Sequence, residues 1–226
     1  MRDVADSRPA RWWHALTAVV CAGALILQLV LVVQGAQVLT TAEPPGLPTR
    51  LLRFVSYFTI QSNLLVLASV LPLVRRPSYD GPRWRVVRLD ALIGITGTGL
   101  IHWFFLRPLL HLTGGPYVAD KLLHVVVPLL AVVGWAAFGP RPRIDRRTVA
   151  LSLVWPLAWG LLVVILLGAV TDWYPYPFVD VGVHGYPRVL LNIAGVGALL
   201  LSLAAGLAVI DRRGRRSADS TPDLRS

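Results

Sequence analysis

The sequence predicts an all-α bundle that crosses a lipid bilayer about six times. Three observations carry that prediction. Of the 226 residues 55% are hydrophobic and only 15% are charged, too few charges to cover the surface of a soluble domain of this length. Runs of roughly 20 apolar residues, the length of helix that crosses a bilayer core, recur six times. The arginines gather between alternate runs rather than along one face.

The runs fall in order at about 12–33, 52–74, 88–107, 118–138, 148–170 and 188–210. The first, Trp12 to Val33, carries no charge, and the second is interrupted only by Arg53 at its start. The third contains Asp90, Thr96, Thr98 and His102, and the fourth Asp120, Lys121 and His124. Pro156 is expected to kink the fifth, and the sixth is rich in glycine at Gly195, Gly197 and Gly206. The first run is longer than the apolar stretch of a signal peptide and is expected to be retained as a span. Residues 1–211 thus form one six-span domain with no soluble domain attached. Residues 212–226 form a basic tail expected to be disordered near anionic lipid.

Orientation follows from the cations. Seventeen of the 22 lie before the first run, between the second and third, between the fourth and fifth, and after the sixth. The other side holds Arg50, Arg53, Arg107, Lys121 and Arg188. Lysine and arginine mark cytoplasmic loops, so a cell-membrane protein with both termini in the cytoplasm is expected. The formal charge of +10 is therefore a topology signal, and no nucleic-acid partner is implied; membrane lipids are the expected surroundings. The single cysteine, Cys21, cannot form an intramolecular disulfide.

Polar groups inside spans are costly and usually face the bundle interior, which makes their depth informative. Ser56, Thr59, Ser62 and Asn63 are spaced by three or four and share one helical face. By residue count Thr59, His102 and His124 all lie about 8–10 Å below the outer surface. Gln28 and Asn192 fall in the same outer half. A hydroxyl beside an imidazole can act as a nucleophile, with the ring removing its proton. Asp120 stands one turn before His124 and would orient that ring, while Asn63, Gln28 or Asn192 would stabilise an oxyanion. Ordinary helix-to-helix hydrogen bonding accounts for the same serines and asparagines equally well, and intramembrane polar groups also line transport paths. A non-catalytic scaffold stays open too. The aromatic run Trp173, Tyr174, Tyr176 and Phe178 is expected to form an interfacial belt, as are Trp12, Trp13 and Trp84. There is no G-x-S-x-G, no P-loop and no Cys/His cluster with zinc-ligand spacing. His102 and His124 alone do not make the recognisable histidine set of a haem protein, so neither metal nor cofactor is implied.

At these same residues the chain resembles a known family. Tyr57-Phe58-Thr59-Ile60, His124-Val125-Val126-Val127-Pro128 and Tyr176-Pro177-Phe178 are similar, in order and in span, to landmarks of the androgen-induced protein family. Its animal members are six-span hydrolases of fatty acid esters of hydroxy fatty acids. The resemblance implies a threonine nucleophile at Thr59 and a histidine base at His124. The stretch Tyr57 to Asn63 looks still more like the bacterial branch labelled "Pr-six-Pr" membrane proteins. Its Gln61-Ser62-Asn63 departs from the animal pattern, so the resemblance implies a lipid ester more broadly.

Overall fold

The computed structural model describes residues 5–36 and 43–219, with side chains through Arg212. The helices are α1 (Arg8–Val33), α2 (Leu47–Ser56), α3 (Phe58–Arg75), α4 (Pro82–Leu109), α5 (Gly114–Phe138), α6 (Arg146–Thr171) and α7 (Val181–Asp219). All but α2 are long and apolar enough to cross a membrane, and the described residues contain no strand. The protein is an all-α multi-pass membrane bundle. Helix α7 continues to Asp219; the rest of the expected tail, 220–226, lies outside the described residues.

Local chemistry starts the helices where the polar punctuation falls. Ser7 caps α1 by accepting from the Ala10 amide at 3.3 Å, and Asp145 caps α6 by accepting from the Thr148 amide at 2.7 Å. Pro82 opens α4, where its missing N–H costs nothing. Within α6 the helix loosens into a turn at Leu153, just ahead of Pro156, which cannot donate to the carbonyl of Ser152.

The second apolar run departs from the expected continuous span. Tyr57, extended at φ −66° and ψ 128°, divides it into α2 and α3. The arginines explain the division. Arg50 reaches back to donate to the carbonyls of Val32 and Val33 at the end of α1, at 2.9 and 3.1 Å, and Arg53 lies over the Trp173 ring. The stretch that bears them stays apart from the apolar span. The break leaves carbonyls that lipid could not satisfy. Trp159 Nε1 donates to the carbonyl of Ser56 at 2.8 Å, and Gln61 Nε2 to that of Val55 at 3.0 Å.

Span α4 is the most buried and lies between two hydrophobic clusters. One, from Cys21, Val66, Ile95 and Val127, joins it to α1, α3 and α5. The other, from Leu89, Val164, Val189 and Leu200, joins it to α6 and α7. Tryptophans expected at the interface divide: Trp12 is exposed, whereas Trp13 and Trp84 turn inward to donate to the carbonyls of Leu130 and Ser69.

Close approach at the centre depends on Gly94 of α4. A Cβ there would stand 2.8 Å from the Trp155 ring and 2.9 Å from Ser62 Oγ. Trp155 is held in place by stacking on Phe58 and by its bond to Gln61 Oε1 at 2.8 Å, so it cannot yield cheaply. Gly94→Ala is therefore expected to cost roughly 1–3 kcal/mol by overpacking. Gly23→Ala, where nothing lies within 4 Å, is expected to be neutral or stabilising by up to about 1 kcal/mol. Thermal unfolding of the two variants in detergent checks the contrast; equal midpoints would contradict the packing described here.

Candidate active site

Three irregularities in otherwise regular spans bring the polar residues together. The break at Tyr57 makes Thr59 the second residue of α3, so its amide is one of the unpaired donors of a helix start. In α4, residues His102–Leu106 form a π-turn, and in α5 residues Leu122–Val126 form another. Each π-turn ends two residues before a proline, Pro108 and Pro128, which lack the N–H that a regular helix needs there. His102 opens the first turn and His124 sits in the middle of the second. Their rings stack at 3.9 Å with planes 13° apart.

Thr59 Oγ1 lies 3.3 Å from His124 Nε2 and 3.2 Å from the Tyr176 hydroxyl, which also accepts from the Thr59 amide at 3.2 Å. His124 Nδ1 lies 3.0 Å from the carbonyl oxygen of Asp120. A carbonyl can only accept, so the proton belongs on Nδ1 and the Nε2 lone pair faces Thr59. One consistent chain of donors results. The Thr59 amide donates to Tyr176, the Tyr176 hydroxyl to Thr59 Oγ1, Thr59 Oγ1 to His124 Nε2, and His124 Nδ1 to Asp120.

The carboxylate of Asp120 completes the arrangement. Its Oδ1 is 3.2 Å from His124 Nδ1 and 3.2 Å from His102 Nε2, and its Oδ2 accepts from Lys121 Nζ at 2.8 Å. His102 Nε2 is buried and lacks hydrogen-bond alignment with any described partner, so its approach to Asp120 is an electrostatic contact. The contact distances satisfy a three-ligand metal set, since one atom from each of His102, Asp120 and His124 lies within 4.8 Å of the others. The ring planes do not satisfy it. A shared ion would have to lie in both planes, and two nearly parallel planes do not meet at the site. Nδ1 of His124 also carries a proton, and Lys121 already neutralises the carboxylate. The cluster fits a carboxylate orienting an imidazole.

Tyr176 departs from the interfacial belt expected for its aromatic run. It turns into the bundle beside Thr59, and burial pushes its pKa up to about 12, so the phenol keeps its proton at neutral pH. The prolines on either side, Pro175 and Pro177, mark an extended loop instead of a helix but give no facing direction for Tyr176. Asn192 of α7 donates to the Phe178 carbonyl at 2.7 Å and so anchors that loop. Asn63 donates to the carbonyls of Thr59 at 2.8 Å and Leu123 at 3.4 Å, which makes it a strut from α3 to the π-turn of α5. Ser56 and Ser62 bond back to Leu52 and Phe58. Gln28 is half-buried on α1 and joins no hydrogen bond with the described residues.

No protein family, curated protein or solved structure matches the chain. The site is therefore read from its own geometry. Asp120→Ala would leave Lys121 and two imidazoles around a lost carboxylate. Unfolding measurements in detergent are expected to show a loss of roughly 1–3 kcal/mol. An unchanged midpoint would mean that the carboxylate does not hold this end of the bundle together.

Proposed function

We propose that the protein is a membrane-embedded hydrolase of lipid esters that works through an acyl-threonine intermediate. The observation that carries this reading is the contact of Thr59 Oγ1 with Nε2 of a ring whose Nδ1 is tied to the Asp120 carbonyl. The arrangement has the parts of an activated nucleophile: hydroxyl, base and a group that orients the base. The resemblance of the segments around Thr59 and His124 to the androgen-induced protein family points to the same two residues.

In this reading His124 Nε2 takes the proton of Thr59 as Oγ1 attacks the ester carbonyl carbon. The Tyr176 hydroxyl and the amides at the start of α3 are the nearest donors for the developing oxyanion. Collapse of the tetrahedral intermediate breaks the ester C–O bond, and the His124 Nε2 proton passes to the leaving alkoxide. Water, deprotonated by His124, then attacks the acyl-threonine. The carboxylic acid leaves and Thr59 regains its proton. Basic clusters in alternate loops favour cytoplasmic termini, which sets Thr59 toward the outer leaflet. The π-turn that carries His102 also presents Trp103, Phe104 and Phe105 outward, where they would meet acyl chains.

A fluorophosphonate probe reports an activated hydroxyl rather than a buried one. Labelling of the wild type is expected to vanish in Thr59→Ala and His124→Ala and to slow about 10²-fold in Tyr176→Phe, the cost of losing one oxyanion donor. A well-folded wild type that takes no label, or a Thr59→Ala variant labelled as fast as the wild type, would overturn the proposal.

A further inference from the structure

A second polar site lies toward the other face of the membrane. Ser69 stands about 15 Å along α3 from Thr59, at 1.5 Å per residue. Against it lies Arg88 of α4, only 5% exposed. Arg88 Nη1 donates to Ser69 Oγ at 3.2 Å, whereas Nε and Nη2 have no hydrogen-bond partner, and no ion pair among the described residues includes Arg88. A guanidinium buried without an anion is costly, which makes this an arrangement that asks for a counter-charge.

The unpartnered edge is the informative one. Nε–H and Nη2–H point the same way and form the fork that grips two oxygens of a carboxylate or phosphate. Arg85, one turn away, uses that very edge: its Nε and Nη2 hold Asp80 Oδ1 and Oδ2 at 2.7 and 2.6 Å. Arg143 Nε also approaches Asp80, at 3.0 Å. These guanidinium groups hold the exposed Asp80 carboxyl below the usual carboxylate range, the bond from Arg85 contributing most. Arg85, Arg88 and Arg143 line one narrow crevice together with Trp84 and Trp135. Asp80 pairs with Arg85 and Arg143, and Asp211 accepts from the amides of Arg143 and Ile144, so the acids of this end act on its other arginines and leave Arg88 without an ion pair among the described residues. The crevice sits at the end of the bundle where basic loops and tryptophans mark the headgroup layer.

We propose that this crevice binds a phosphate-type anion on the Arg88 fork, a chemistry presented both by phospholipid headgroups and by free inorganic phosphate. The site is separate from Thr59 and stands whether or not the protein is a hydrolase. The fork is buried, so a phosphodiester of the adjoining leaflet reaches it only when the crevice side chains around Arg88 move aside.

The test is thermal unfolding of the full-length, delipidated protein in detergent, with two probes. One is sodium phosphate replacing sodium chloride at constant ionic strength. The other is phosphatidylglycerol in mixed micelles, compared with the same proportion of diacylglycerol. A rise of roughly 5–10 °C at a hundredfold excess over Kd is expected for whichever probe binds. A rise with phosphatidylglycerol alone assigns a headgroup; a rise with phosphate as well assigns a general anion site. Arg88→Met keeps the side chain's length without its charge and is expected to fold and lose the response. Arg88→Lys keeps the charge without the fork and is expected to retain less than half. No rise with either probe, or an equal rise in wild type and Arg88→Met, overturns the proposal. Thr59→Ala should respond as the wild type does.

Discussion

Lipid offers a peptide group no hydrogen-bond partner, and the irregular parts of this bundle are shaped by that constraint. At three irregular places a side chain from elsewhere supplies the missing partner. At Tyr57 the compensation comes from Trp159 and Gln61, which close the carbonyls of Ser56 and Val55. At the π-turn of α5 it comes from Asn63, which reaches across from α3 to Leu123. At the loop carrying Tyr176 it comes from Asn192. These bonds tie the break at Tyr57, the π-turn of α5 and the loop of Tyr176 to their surroundings and so hold the polar residues as a set.

The chemistry of the candidate site follows from the same bonds. A π-turn re-aims the His124 ring so that Nδ1 meets the carbonyl of Asp120 within its own helix while Nε2 leaves the helix toward Thr59. The break at Tyr57 meanwhile puts Thr59 at a helix start, where its amide has no carbonyl partner in the helix and donates to Tyr176 instead. Neither feature alone activates the hydroxyl: a regular α5 would not hold the ring in this pose, and a continuous α2–α3 would consume the Thr59 amide. The stacked His102 ring and Lys121 then hold the Asp120 carboxylate from two more directions.

Much of this was legible in the sequence. Apolar runs give the six spans because bilayer thickness fixes their length, and one-turn spacing puts Asp120 beside His124. Similar depth put Thr59, His102 and His124 in one layer, but it was the family resemblance that singled out Thr59 with His124. Tyr176 was not, because a loop bounded by two prolines has no periodicity from which to read a facing direction. Asn63 and Asn192 were read as donors to a reacting group; which acceptor an amide finds depends on backbone irregularities that hydropathy does not register. The continuous second span failed for a related reason. Arg50 and Arg53 are tolerated by an averaging window, but their partners, the end of α1 and Trp173, pull that stretch out of the span. Arg88 looked like one more topology arginine until its burial became visible.

The most direct test of the account is the tautomer of His124. Nitrogen-15 NMR of the histidine-labelled protein in nanodiscs, with His124→Gln to assign the signal, separates a protonated Nδ1 from a protonated Nε2. The account predicts a ring with its proton on Nδ1 and none on Nε2, and a signal that shifts when Thr59 is replaced by alanine. A proton on Nε2 would leave Thr59 without a base and contradict it.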